Sequence, residues 1–197
     1  MSSKRDAIIQ AAKQAFLKQG FEATSMDELA LIAQVARRTI YNQFDSKEDL
    51  FNAVILDIWK NVEPYRPKQN DEAYQNPSVG LFNLGMAIAN YWAPPIVRAF
   101  LKLVIVEGDR FPDLPLNFYR LGKEPMIRSI FDYLTEMKKT QLLRITNVEL
   151  ATQQFIGMIN EPLIGLGFIK LAAEPDIERK EQVVTAAVQC FIQGYQP

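Results

Sequence analysis

The chain has 197 residues, 48% hydrophobic and 23% charged, the balance of a folded globular protein and not of a disordered one. It holds no histidine and one cysteine. That excludes Ser-His-Asp and Cys-His catalysis, histidine-bearing or all-thiolate zinc sites and an internal disulfide, so no metal and no cofactor is expected. The formal net charge of −1 hides a mild asymmetry: residues 1–47 carry seven Lys/Arg against five Asp/Glu, and the remainder is net negative.

The start MSSKRD lacks the apolar core of a secretory signal. The longest apolar runs, LVIV (103–106) and PLIGLGFI (162–169), fall short of a membrane span. A soluble cytoplasmic protein with no membrane partner is expected. Cys190 is expected to be a small buried apolar residue.

In chain order, residues 3–19 repeat Ile8, Ala12 and Phe16 at helical spacing, with Ala11 and Ala15 beside them. Gly20 stands where a left-handed residue often ends a helix. TSMD (24–27) offers a capping box, with Thr24 as N-cap and Asp27 three residues on. The next helix lasts about two turns and is expected to bury Leu29, Ile32 and Ala33, with Val35 plugging the corner. A third helix is predicted from about Ala36 to Phe44, its inner face formed by Ile40 and Phe44. SKED (46–49) then opens a fourth helix through LFNAVILDIWKNV. The stretch PYRPKQNDEAYQNP (64–77) reads as a linker or loop. Beyond it the period is helical again, with helices predicted near 78–92, 95–107, 113–121, 123–139, 147–171 and 176–194. The whole reads as all-α.

Residues 36–51, ARRTIYNQFDSKEDLF, pose the functional question. Turning Ile40 and Phe44 inward leaves Arg37, Arg38, Tyr41 and Asn42 on one outer face. Arginine can bind guanine bidentately, while asparagine and glutamine can read adenine. Tyr41 and Lys47 suit phosphate contacts, and the helix starts at Thr24–Ser25 and Ser46–Lys47 offer backbone N–H groups to phosphates. Helix, short helix, tight corner and second short helix is the helix-turn-helix plan, whose later helix enters the major groove. The rival reading is a polar face that meets only water.

GFEATSMDELALIAQVARRTIYNQFDSKEDLF resembles the DNA-binding signature of the TetR family of transcriptional repressors over roughly residues 4–52. Phe21, Thr24, Ile40, Tyr41, Phe44, Lys47, Leu50 and Phe51 fall in the expected order and spacing. Residues 78–194 resemble, more weakly, the AefR-like branch of the family's C-terminal domains, through VIVEGDRFPDLPLNFY. Three residues depart from the family pattern. Gln34 occupies a corner often held by glycine, Ala36 stands where a serine or threonine often caps the third helix, and Gln43 replaces a frequent histidine.

The resemblance implies a three-helix helix-turn-helix DNA-binding domain (1–46), a connecting helix (47–63) and a larger helical ligand-binding and dimerisation bundle (64–197). It implies a double-stranded, palindromic DNA operator, a small and largely apolar effector, a C2 homodimer and a repressor's mode of action, not an enzyme. The DNA contacts expected are Thr24, Ser25, Arg37, Arg38, Thr39, Tyr41, Asn42, Gln43 and Lys47. The effector cavity is expected among Phe82, Met86, Asn90, Trp92, Phe100, Tyr119, Phe131, Phe155, Met158 and Asn160, each of which has plain core or a satisfied hydrogen bond as its alternative. Ile164, Phe168, Val184, Val188 and Phe191 are expected at the dimer interface, with burial inside one subunit as the rival. Two other functions compete: an enzyme using Glu107, Asp109 or Glu161 as acid or base, and an interaction module that has lost DNA binding.

Overall fold

Ser3 and Asp6 begin the first helix with a reciprocal capping box, each side chain accepting the other's backbone N–H. The computed structural model describes residues 3–60, 65–67, 72–92, 94–165 and 175–196, and among them every regular element is a helix. The chain divides into two compact units, Met1–Glu63 with Ile96–Glu124, and Pro64–Pro95 with Pro125–Pro197. The 1–46, 47–63 and 64–197 division expected from the sequence follows role. Compactness groups the chain differently, because residues 96–124 pack with the N-terminal helices.

In the first unit, α1 (Lys4–Ala23) and α4 (Lys47–Trp59) pack against each other around Ile8, Phe16, Phe51 and Val54, all fully buried. Two polar clamps show that they run antiparallel. Midway along α1, Lys13 pairs with Asp57 near the end of α4, which also accepts from Gln10 at 3.1 Å and Lys60 at 2.6 Å. At the other end, Lys47 Nζ donates to the carbonyls of Phe21, Glu22 and Thr24 at 2.7, 3.1 and 2.9 Å. It also lies 4.4 Å from the Phe21 ring centre. A cation there meets the carbonyls that the end of a helix leaves unsatisfied. Burial pulls the Lys47 ammonium below its ordinary pKa, opposed by the charges of Glu48, Glu107 and Glu22.

Within the range of α1 the chain kinks at Gly20, which has positive φ as expected but a different ψ (φ 89°, ψ 168°). This is an extended mirror-image conformation that is essentially glycine-only, not the left-handed helical one. A Cβ there would meet Glu107 Oε1 at 2.6 Å. That oxygen accepts the Phe21 N–H at 2.9 Å, Arg110 pairs with Glu22, and Phe111 packs edge-on to Phe21 at 5.0 Å. These contacts fasten the end of α7 (Pro95–Glu107) and the EGDRF corner to the kink. Glu107, a candidate acid or base in the enzyme reading, serves as a backbone acceptor. The apolar core follows the same route, from Phe16 and Phe21 through Phe51 to Phe100.

After α8 (Asp113–Asn117), the helix break expected at Gly122 is instead a π-helical turn, Phe118–Lys123. The Trp59 ring lies against Gly122, 2.2 Å from where a Cβ would stand, and Phe118 packs edge-on to Trp59 at 4.9 Å. Glycine is here a packing surface and not a stop.

The second unit contains α5 (Glu72–Gln75), α6 (Pro77–Tyr91), nearly all of α9 (Glu124–Lys139), α10 (Val148–Asn160) and α11 (Ile177–Tyr195). α6 packs on α10 and α11 around Leu84, Ile88, Phe155, Ile159, Val184 and Phe191. Tyr133 of α9 donates to the Ala73 carbonyl at 2.7 Å, and burial pushes its hydroxyl pKa up. Part of the stretch expected as linker, 64–77, is therefore ordered: α5 is docked, and Tyr65 accepts from Asn83 at 3.1 Å. The long helix expected over 147–171 is α-helical to Asn160, then π-helical over Glu161–Gly165. Pro162 lacks an N–H and crowds the preceding carbonyls, which accounts for the widened turn. The rest of that expected helix lies outside the described residues.

Replacing Lys47 by Met should cost about 2–3 kcal/mol in urea unfolding, because the buried carbonyls lose a charged donor. Gly20→Ala should cost at least about 2 kcal/mol through its forbidden φ and its clash with Glu107. Acid gives an independent check on the other clamp. Burial alone would raise the Asp57 pKa, but hydrogen bonds and charges from Lys13 and Lys60 outweigh it, and the net shift is below the ordinary 3.8. A depressed carboxyl pKa contributes stability that is fully present above pH 3.8 and is lost as pH falls through the lower folded value. Between pH 4 and 2, therefore, wild type should lose more stability than Asp57→Asn, measured by urea midpoints across that range.

Candidate nucleic-acid interface

The interface is built by α2 (Met26–Ile32) and α3 (Arg37–Tyr41). TSMDE (24–28) carries two overlapping capping registers, and the structure takes the second. Ser25, not Thr24, caps α2, its hydroxyl accepting the Glu28 N–H at 3.2 Å. The Thr24 hydroxyl instead donates to the Gly20 carbonyl at 2.7 Å, and the side chain is buried. Of the two expected at this helix start, only Ser25 is exposed.

Gln34 makes the corner between the helices at φ 55°. Its N–H bonds to Leu31 O and that of Val35 to Ala30 O, the paired bonds of a Schellman ending. Glutamine in place of glycine costs about 1–2 kcal/mol there. Ala36 is the N-cap of α3 and has no side-chain cap bond. Ile32, expected inside, is exposed, and Ala33 and Val35 are half-buried. The buried side of α2 is formed instead by Met26, Leu29 and Ala30.

α3 is shorter than the sequence suggested, ending at Tyr41 with Asn42 as its C-cap. Ile40 is fully buried and Phe44 nearly so, with the Arg5 guanidinium 4.5 Å from the Phe44 ring centre. That anchoring leaves Arg37, Arg38, Tyr41, Asn42 and Gln43 exposed together, with Thr39 half-buried beside them. Arg38 makes no ion pair among the described residues. Arg37 Nε pairs with Asp27 of α2 at 2.9 Å, and its guanidinium lies 5.6 Å from the Tyr41 ring centre. Both partners stay well exposed, 72% and 49%, so the pair contributes little to stability. Lys47 differs from the rest. Its donors are spent on carbonyls, which leaves none for the expected phosphate contact in this conformation.

The ten residues expected around an effector fall in both compact units. Phe100 is fully buried in the first unit, and Tyr119, also there, is exposed. In the second unit Phe155 is core, stacked on Phe191, and Trp92 is buried against Tyr91. Asn90 is exposed and accepts from Lys180, Phe131 is exposed, and Met86 and Asn160 are half-buried. Of the ten, Phe82 lines a groove of about 550 Å³ between α6 and α11. Val79, Val188 and Ile192 join it on the apolar walls, with Ser78, Asn83, Thr185, Gln189 and Gln193 as polar groups. Met158 lines a second groove of about 360 Å³ with Pro162, Ala186 and Cys190.

Four of the five residues expected at a dimer interface are apolar core of the single chain. Ile164, Val184, Val188 and Phe191 are buried within the chain itself, and Phe168 lies outside the described residues. Apolar periodicity marks a face that leaves water without saying what covers it. Here α6 and α10 cover it, and the outward side of α11 carries Gln182, Ala186, Gln189 and Cys190. Cys190, expected to be buried, is an exposed free thiol.

Comparison with known proteins agrees with this geometry. Residues 8–54 match the family described as bacterial regulatory proteins, tetR family, and residues 79–197 match the AefR-like transcriptional repressor C-terminal domain. The HTH-type transcriptional regulator RutR of Escherichia coli K12 is 40% identical over 62 residues, 30% of this chain and 29% of RutR. YhgD of Bacillus subtilis, an uncharacterized HTH-type regulator, is 33% identical over 76 residues, 39% of this chain and 37% of YhgD. The chain thus aligns with well under half the length of these relatives. Among solved structures, the Flavonoid-responsive Regulator FrrA superposes with a TM-score of 0.83 at 30% identity, covering 98% of this chain and 97% of FrrA. A TetR regulator from Agrobacterium tumefaciens reaches 0.74 at 20% identity over 100% and 96% of the two chains, a likeness of fold alone. The family's members are transcriptional regulators, not enzymes. With a headpiece that exposes arginine and amide side chains over a buried Ile40, and an AefR-like domain behind it, this chain belongs to the TetR family of DNA-binding transcriptional regulators.

Proposed function

We propose that the chain is a cytoplasmic repressor that binds a palindromic operator as a C2 homodimer and leaves it when a small, largely apolar effector binds. The observation that carries the reading is the polar face of α3, held outward by the burial of Ile40 and Phe44. Two such faces, one per subunit, would meet successive major grooves, with spacing set by the dimer. Among the described residues no helix is long and apolar enough to cross a membrane. In role, 1–46 reads DNA, 47–63 connects, and 64–197 senses and dimerises.

The α6–α11 groove is the favoured effector site, because apolar walls with a few convergent polar groups are what small-molecule pockets require. That FrrA is named flavonoid-responsive supports a ligand-controlled reading and suggests flavonoids as first probes. The outward faces of α10 and α11 are the proposed dimer surface. Gly157 and Gly194 have nothing within 4 Å of where a Cβ would stand, which leaves room for a twin helix to approach closely. An effector that turns 99% DNA-competent dimer into 1% must prefer the incompetent conformer by about 5.5 kcal/mol.

Selection from a random DNA pool should return a palindrome bound by the dimer. Arg38→Ala should weaken that site about ten-fold or more, and either flatten one base preference or lower the salt slope by about one unit. A protein that selects no sequence, or an Arg38→Ala variant that binds like wild type with the same slope, would sink this docking.

A further inference from the structure

Arg37 of α3 forms an ion pair with Asp27 of α2 on the face proposed to meet DNA. The guanidinium nitrogen nearest Asp27 Oδ1 is Nε, at 2.9 Å, an ion pair without an aligned hydrogen bond. The two terminal nitrogens form the fork that matches guanine O6 and N7. The same Oδ1 is 3.5 Å from the Tyr41 hydroxyl, and the Tyr41 ring lies 5.6 Å from the guanidinium. A long flexible side chain is thus held on two sides, by a carboxylate from α2 and an aromatic ring one turn along α3. As a source of stability so exposed a pair is worth little. A carboxylate on a face that meets DNA also repels phosphates, so its presence there calls for another role.

We propose that Asp27 is a specificity-determining positioning residue. It holds Arg37 through Nε so that the fork reads one guanine per half-site, and its charge penalises docking on DNA that lacks the matching base. Arg37 touches the base, and Asp27 acts through Arg37. The proposal rests on the reading of α3 as the recognition helix and adds to it a residue from the preceding helix.

The test uses the full-length dimer and binding-site selection from a random pool, with affinities measured for the selected site and for random duplex. Arg37→Ala should flatten the preference at one position of each half-site. Asp27→Ala, which removes both acceptor and charge, should cut discrimination at that same position about three- to ten-fold, part of what a bidentate contact supplies. Its binding to random duplex should stay level or tighten. Asp27→Asn keeps an oxygen for Nε and loses the charge. It should preserve most of the base preference while binding random duplex as Asp27→Ala does. The double variant Asp27→Ala/Arg37→Ala should discriminate no worse than Arg37→Ala alone, because the two residues act as one unit. Thermal melts of each variant show whether it is folded, and the Asn variant tests orientation even if the Ala variant is not. If Asp27→Ala keeps the preference that Arg37→Ala loses, or if Asn flattens it as fully as Ala, the buttress is refuted and the regulator reading stands. If wild type selects no sequence at all, the regulator reading falls and takes this proposal with it.

Discussion

The headpiece depends on one ammonium group. Lys47, the first residue of α4, reaches back to three carbonyls at the end of α1 and so settles where α4 begins relative to the turn that leads into α2. Helix ends leave carbonyls without partners, and a buried end that stays so is costly. One lysine satisfies three of them and adds a favourable charge at the negative end of the helix dipole. With the Lys13–Asp57 contact at the far end, α1 and α4 are clamped twice, roughly the length of α4 apart. A helix held at both ends moves as a rod. Motion of α4 therefore carries α1 and the corner before α2 with it.

The same corner receives a third attachment, from a part of the chain that family comparison assigns to the C-terminal domain. Residues 79–197 match the AefR-like domain, yet Glu107, Arg110 and Phe111 bond to or pack on Phe21 and Glu22. Evolutionary and mechanical boundaries differ here. The segment 96–124 shares an aromatic core with the headpiece, from Phe16 to Phe100, and belongs to its compact unit. Gly20 is the steric condition for this arrangement, since both its φ and the nearness of the Glu107 carboxylate exclude a side chain.

The DNA-facing surface follows from what is buried beneath it. With only five residues in α3, burying Ile40 fixes the rotation of the helix, and the outward set is then dictated by a 100° step per residue. The Schellman corner at Gln34 sets the angle between α2 and α3 and tolerates a side chain in a left-handed conformation to do so. That angle brings Asp27 within reach of Arg37.

By itself, the sequence determined the helical class, the order of the four headpiece helices and the outward face of α3. Each rests on local periodicity and capping chemistry, which act within a few residues. The family resemblance marked Gln34 as a corner often held by glycine and Ala36 as a missing cap; the structure makes Gln34 left-handed and leaves Ala36 without a side-chain cap bond. Tertiary structure alone decided the rest. It chose Ser25 over Thr24 as cap because Gly20 O lay within reach of the threonine hydroxyl, and it turned Lys47 from a surface cation into a clamp. It sent Val184, Val188 and Phe191 into the chain's own core and left Cys190 outside. It also buried Phe100 within the first unit and Phe155 within the second. The physical reason is the same throughout. A sequence pattern records which side chains must leave water or find a hydrogen bond, while the identity of the partner depends on segments up to 86 positions away, as Phe21 and Glu107 are.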